Sequence, residues 1–245
     1  AGSLLGVALH QGTSFPVGKV EFLDLNPLSF SEFLMAMGKD RYVELLNQGD
    51  FDMATMFKQD YSDLLKQYYY VGGMPEVVQA FVDNRDFNEV REIQQRILSA
   101  YEQDFSKHAP NETVPRIRML GKSIPAQLAK ENRKFIYGLI KEGARAKEYE
   151  LAMLWLTDCG LIHKIHRVSA PCLPLKAYED LKAFKLFLLD VGLLSCMVGL
   201  RQDVLLDGNE LFKEFKGALT EQYVLQQLRT IKGLNIYYWT ADRGT

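Results

Sequence analysis

Residues 144–168 read ARAKEYELAMLWLTDCGLIHKIHRV. Their first two-thirds predict a helix over 144–159, closed by Gly160, a residue that ends helices without steric cost. Leu161 to Val168 then alternates apolar and polar residues and predicts a strand. Leu151, Leu154, Trp155 and Cys159 share one helical face, which predicts a buried Trp155. Arg145 and Lys147, at the start of the helix, are expected to be exposed.

Upstream, short helices are expected at 116–121, 123–130 and 132–141. Downstream, a loop over Ser169–Pro174 leads to a second strand at Lys185–Leu189. Helices followed by strand, loop and strand give the order of a winged helix, assigned to residues 113–200. A winged helix can offer its basic helix start to a DNA groove, so Arg145 and Lys147 are candidate DNA-binding residues. Glu142, Glu148, Glu150 and Asp158 lie alongside and oppose phosphate, which favours the alternative of a solvated face.

Before this segment the pattern is helical. Ser29 or Ser31 can cap a helix with Glu32 in its first turn. Further helices are expected at 41–48, 60–70, 75–82 and 87–105. In the last of these Phe87, Val90, Ile93, Ile97, Tyr101 and Phe105 recur at spacings of three and four. Ala109–Pro115 reads as a linker. Residues 1–9 and Val20–Leu25 read as strands, which cannot form a stable sheet alone. After position 200 a helix is expected over 211–229, with Leu211, Phe215, Leu219, Tyr223, Val224 and Leu228 on its face. A strand follows at 236–239, then a turn at 241–245, leaving strand edges open to self-association. The fold class is therefore mainly α with small β elements (α+β).

Composition narrows the function. Apolar residues make up 47%, charged residues 24%, and the net charge is -2. That is enough apolar material for globular cores, and any contact with nucleic acid has to be a local patch. Three cysteines, Cys159, Cys172 and Cys196, form no CxxC and read as small buried hydrophobes in a reducing compartment. The longest apolar stretch, Leu186–Leu200, contains Asp190 and is too short to span a bilayer. A cytoplasmic protein without membrane contact is expected.

The chain has no GxxxxGK[ST], HExxH or GxSxG, so no motif announces a phosphate loop, a zinc protease or a hydrolase nucleophile. His163 and His166 fall on opposite faces of their strand and do not converge on a metal; His10 and His108 are isolated. In Gly72-Gly73-Met74-Pro75, the glycines either form a plain helix–helix turn, with Pro75 at the first helical position, or let backbone approach a flat ligand closely. Glu221 reads as a solvated edge residue or as a functional carboxylate.

Several stretches, in order, are similar to one family. They are Gly2-Ser3-Leu4-Leu5, Asn26 to Phe30 with Glu32-Phe33-Leu34, and Gly72 to Glu76. Leu156 to Ile162 (LTDCGLI), Lys185 to Leu194 (KLFLLDVGLL), Lys216 to Glu221 (KGALTE) and Tyr237-Tyr238-Trp239 complete the set. The chain resembles bacterial and archaeal AAA-type ATPases with a C-terminal domain of unknown function. The resemblance implies that 1–29 are the last strands of the ATPase core and 30–112 a helical lid. It implies a winged helix at 113–200 and the start of a restriction-endonuclease-like domain at 201–245.

The same resemblance implies site residues. Ser3 falls at a γ-phosphate sensor position, and Gly72, Gly73 and Pro75 fall at a turn beside the nucleotide base. Lys19 stands where the family often has Arg. Glu221 matches one nuclease-like carboxylate, without the Asp and Glu-x-Lys that would complete a Mg²⁺ site. ATP and Mg²⁺ belong to the parent protein, whose phosphate loop would precede Ala1; none is expected on this chain, which should not hydrolyse ATP. The alternatives are a DNA-binding winged-helix regulator and a protein-interaction module of a toxin–antitoxin or defence system.

Overall fold

A computed structural model describes residues 23–130, 134–206 and 210–241. Ser3, Lys19, the strands expected within 1–9 and at the start of 20–25, and most of the 241–245 turn lie outside the described residues. The described chain is mainly helical with one two-stranded antiparallel sheet, an α+β arrangement. Among the described residues no helix is long and apolar enough to cross a membrane.

Contacts divide the chain into two compact units. Among the described residues, the helical unit comprises those within 26–101 and 190–232; the hairpin unit comprises those within 102–189, with 23–25 and 233–241 at the ends. Residues 190–232 belong to the same unit as residues 26–101, most of the segment expected to form a lid.

The helical unit begins with α1 (Phe30–Ala36), capped as a full capping box: Ser29 accepts from the Glu32 backbone N–H, and Glu32 reaches back to Ser29. Then come α2 (Asp40–Gln48), α3 (Phe51–Met56), α4 (Lys58–Val71), α5 (Pro75–Asn84) and the first part of α6 (Phe87–His108). After the hairpin unit the chain returns with α9 (Val191–Met197), α10 (Gln202–Leu206) and α11 (Glu210–Arg229). Phe33, Tyr68, Val71, Val77, Leu193 and Leu219 are fully enclosed in this core. Tyr68 meets Phe30, Phe33 and Tyr223 edge to face at 5.3–6.0 Å, a geometry that aligns ring edges with ring faces.

The hairpin unit holds the end of α6, then α7 (Val114–Ala129), a 3₁₀ turn at Tyr137–Leu139, α8 (Ala146–Asp158), β1 (Ile162–Val168) and β2 (Glu179–Leu188). β1 and β2 pair from Ile162 opposite Leu188 to Val168 opposite Glu179, with a bulge between His166 and Arg167. Phe135 donates its backbone N–H to the Phe184 carbonyl at 2.6 Å and stacks on the Phe184 ring. Gln127 fastens this third extended segment by bonding both backbone groups of Ile136.

Several expectations are corrected here. The helices expected at 116–121 and 123–130 are one helix; Pro125 removes one backbone bond, but Ile117, Leu120, Ile124 and Leu128 bury a common face that holds the helix together. The helix expected at 132–141 shrinks to the 3₁₀ turn. β2 starts at Glu179 because its polar first half pairs across the bulge, where Arg167 bridges Asp180 at 2.8 Å. The strand expected at 236–239 is a single parallel bridge: Tyr238 exchanges backbone bonds with His166 and Val168, so at that residue the β1 edge is covered.

In α8 the buried face is Tyr149, Ala152, Met153, Leu156 and Cys159; Leu151 and Leu154 are each 46% exposed and Trp155 is only half-buried. The expected phase was off because the helix carries two overlapping apolar stripes, and packing against α7 selects the one containing Tyr149 and Ala152. Of the cysteines, Cys159 is buried, Cys196 half-buried and Cys172 exposed, so the expectation of burial fails for Cys172. Burial pushes the Cys159 thiol up to about 11.

Candidate functional site

The turn Gly72-Gly73-Met74-Pro75 ends α4 and starts α5, with Pro75 in the first turn of α5. Gly72 lies at φ +76, a left-handed value that favours glycine. The turn is packed from three sides by the chain itself. A Cβ on Gly72 would stand 2.2 Å from Asp190 Oδ1, and one on Gly73 2.2 Å from the Leu28 carbonyl oxygen. On the facing helix, a Cβ on Gly192 would stand 2.4 Å from the Val71 carbonyl oxygen. Three glycines thus allow three backbone segments to touch.

Asp190 is the centre of this joint. It is fully buried and caps α9 by accepting from the Leu193 N–H at 2.9 Å. Its other oxygen accepts from the Gly73 N–H at 2.6 Å and from Gln226 Nε2 at 3.0 Å. Gln226, on α11, also donates to the Tyr68 hydroxyl at 2.9 Å and accepts from the Val191 N–H at 2.8 Å. The Tyr68 hydroxyl in turn donates to the Leu28 carbonyl. The Leu28 N–H donates to the Gly73 carbonyl at 2.7 Å, which closes the ring of contacts.

The C-terminal end of α4 is satisfied in the same way. Gln94 donates to the Tyr70 and Val71 carbonyls, and Ser195 donates to the Gly192 and Tyr70 carbonyls. Those of Tyr70 and Val71 are among the carbonyls that a helix leaves without internal partners. Burial raises the Asp190 carboxyl above the usual carboxylate range, and the N–H groups aimed at it oppose that shift. Burial also raises the Tyr68 hydroxyl, with the nearby Asp190 charge adding to the effect.

The structure brings Gly72 and Gly73 together with Asp190, which the sequence offered only as a charge inside an apolar run. The close approach expected toward a flat ligand is made toward Asp190 and Leu28. Both glycines are buried, so a ligand laid on the turn would meet half-buried Met74 and exposed Pro75 and Glu76. The glycines therefore offer no phosphate cradle, and no step of phosphoryl transfer is assigned to them. Gln94, Gln222 and Gln226 are buried polar residues that pattern reading missed. The spacing of Gln222 and Gln226, four apart beside Leu219 and Leu225, is the one signal that could have placed them on the core face.

The other candidates lie elsewhere. Arg145 and Lys147 are exposed at the start of α8, in the hairpin unit. Glu221 is exposed on α11, and Val224, expected on its buried face, is 46% exposed. Among the described residues no three His, Cys, Asp or Glu side chains are grouped to hold a metal ion. His163 and His166 are both half-buried on β1.

Residues 62–204, more than half of the chain, match the family described as "Domain of unknown function (DUF8612)". No curated protein matches the chain, and no solved structure does.

Proposed function

The chain belongs to this domain family, whose description carries no activity, and from its own residues we propose that it is the lid and winged-helix portion of an AAA-type ATP-binding protein. In this reading the outer face of the turn, Met74-Pro75-Glu76, lies beside the nucleotide, and the turn reports nucleotide state to the segment that follows the hairpin. ATP with Mg²⁺ would be held by parts outside this sequence, since the 245 residues contain no phosphate loop.

One observation carries the reading. Two of the stretches similar to the ATPase family, Gly72 to Glu76 and Lys185 to Leu194, are far apart in sequence yet share one buried joint through the Gly73–Asp190 bond. A turn that senses a ligand needs a rigid connection to what it moves, and a fully satisfied polar network in a dry core is such a connection. The winged-helix part is supported by the order helix, 3₁₀ turn, helix, hairpin and by the Phe135 segment added to β2.

The test is photolabelling of the natural full-length polypeptide with 8-azido-ATP and Mg²⁺. The expected result is label on the peptide containing Met74–Glu76, competed by ATP. Label that ATP does not compete, or competed label that maps only elsewhere, overturns the reading. The 245-residue chain alone should show no ATP hydrolysis.

A further inference from the structure

A recess of about 720 Å³ opens in the helical unit, bounded by α6, the C-terminal end of α4 and the turn from α9 into α10. Asn88, Arg91 and Gln95, at spacings of three and four on one face of α6, line one wall. Tyr70, Cys196, Arg201 and Asp203 line the others. Arg91 is the fixed point of this recess. Its guanidinium carbon lies 4.1 Å from the centre of the buried Tyr70 ring. Nη1 donates to Gln94 Oε1 at 2.7 Å and to Ser195 Oγ at 3.4 Å, and Nη2 donates to the Leu200 carbonyl at 2.8 Å.

Every one of those acceptors is neutral. Arg91 is half-buried, and among the described residues no carboxylate pairs with it. Lys66 and Arg167 are also half-buried, and each is paired, with Asp63 at 3.0 Å and Asp180 at 2.8 Å. Arg201 is already engaged by both oxygens of Asp203, at 3.0 and 2.7 Å. Two cations and one carboxylate leave the described lining with one net positive charge, and it resides on Arg91. A guanidinium carries five N–H groups in a planar fork. The three bonds above leave Nε and the second hydrogen of Nη2 without an acceptor among the described residues. Nε is open to solvent.

We propose that this recess binds a small polar monocarboxylate, held by the free N–H groups of Arg91. Nε and Nη2 form one edge of the guanidinium, and that edge meets the two oxygens of a carboxylate in a strong, direction-specific pair. The Tyr70 ring and three bonds already hold the side chain. Binding therefore costs little of the rotamer freedom that a loose arginine gives up. One carboxylate balances the net charge of the lining, whereas dianionic phosphate would leave an excess negative charge beside Asp203. The side-chain amides of Asn88 and Gln95 make no hydrogen bond among the described residues. They can donate to and accept from hydroxyl groups of the ligand, which selects a hydroxy acid or sugar acid over an apolar acid. The recess shares no residue with Met74-Pro75-Glu76 and stands independently of the nucleotide reading of the turn.

The test uses the Cys196 thiol, which lines the recess, as a reporter, and the exposed Cys172 as an internal control. The 245-residue chain is treated with N-ethylmaleimide in gluconate, acetate or inorganic phosphate at equal ionic strength. Adducts at both cysteines are followed by mass spectrometry of the peptides. Gluconate should slow labelling of Cys196 severalfold and saturably, and leave Cys172 unchanged. Acetate should protect only at higher concentration, and phosphate not at all. Arg91→Gln should raise the gluconate concentration for half-protection by about tenfold or more, the loss expected for hydrogen bonds to a charged group. Arg91→Lys keeps the charge without the fork and should recover only part of that loss. Gln95→Leu, at an exposed position, should weaken protection severalfold with an unchanged melting temperature, a readout independent of any unfolding caused at Arg91. Absence of protection by gluconate, equal protection by phosphate or acetate, or slowing of both cysteines alike overturns the inference. So does full affinity in Arg91→Gln or Arg91→Lys, or in Gln95→Leu. A Cys196 that does not label without ligand would show a closed recess and overturns it as well.

Discussion

Asp190 and Arg145 each stand at the N-terminus of a helix, and their surroundings are opposite. Asp190 has the sign that a helix N-terminus favours, is fully buried, and has both oxygens bonded. Arg145 has the sign that a helix N-terminus disfavours, is exposed, and caps nothing. The first holds α4, α5, α9 and α11 in one arrangement. The second adds no cap to its helix. A buried carboxyl with both oxygens bonded beside a backbone turn holds elements together; an exposed arginine that caps nothing does not.

The largest effect should come from removing the buried acid. Asp190→Ala leaves the Gly73 and Leu193 N–H groups and Gln226 short of an acceptor, and each buried donor left unpaired costs about 1–3 kcal/mol. Chemical denaturation should show a loss of at least about 3 kcal/mol. A loss below about 1 kcal/mol would mean that the joint does not hold the helical unit together.

Next in size is Gly73→Ala, whose Cβ would stand 2.2 Å from backbone oxygen rather than from a side chain that can move. Overpacking of this kind costs about 1–3 kcal/mol, and the denaturation midpoint should fall accordingly. An unchanged midpoint would show that Leu28 can retreat and that the joint is loose.

The third effect is on pH dependence. Asp190 is raised by burial, so the fold favours the neutral acid. That contribution is complete below the unfolded value of about 3.9 and is lost as pH rises through the higher folded value. The stability of the protein relative to Asp190→Asn should therefore decline as pH rises above about 4. A difference that stays flat or grows with pH would indicate that the N–H donors outweigh burial.

The smallest effect has the opposite sign. Gly121 lies in the interior of α7, and a Cβ added there would meet nothing within 4 Å. Gly121→Ala should stabilise the hairpin unit by about 0.5–1 kcal/mol, because a helix-interior glycine gives up backbone entropy without needing its freedom. Thermal melting of the variant checks this. Destabilisation would show that the close glycine contacts are not confined to the Asp190 joint.

Local signals were legible where one chemical cue fixed one feature. Ser29 with Glu32 marked the start of α1, Pro75 the start of α5, and Gly160 the end of α8. The boundaries of α2, α4 and α6 followed from apolar spacing to within about three residues. Helix α3 gave no such cue: none of its residues is buried, and Phe51 is 72% exposed, so it has no core-facing stripe to read. α9 was hidden inside the apolar run Leu186–Leu200, where the change from strand to helix is marked only by the cap at Asp190.

The sequence by itself determined the class of the fold, the places where most helices begin and end, and the absence of a phosphate loop motif from these residues. Those features depend on neighbours within a few positions, through caps, periodicity and fixed motifs. Only the tertiary structure decided which face of α8 and α11 is buried, which unit the segment after β2 joins, and what the glycines of the turn are for. Each of these depends on a partner distant in the chain: Tyr149 against α7, Gln226 against Tyr68, Asp190 against Gly73. A residue's spacing tells which neighbours share its helix face, but the choice among competing faces is made by whichever set leaves the fewest buried polar groups unpaired and the least apolar surface in water.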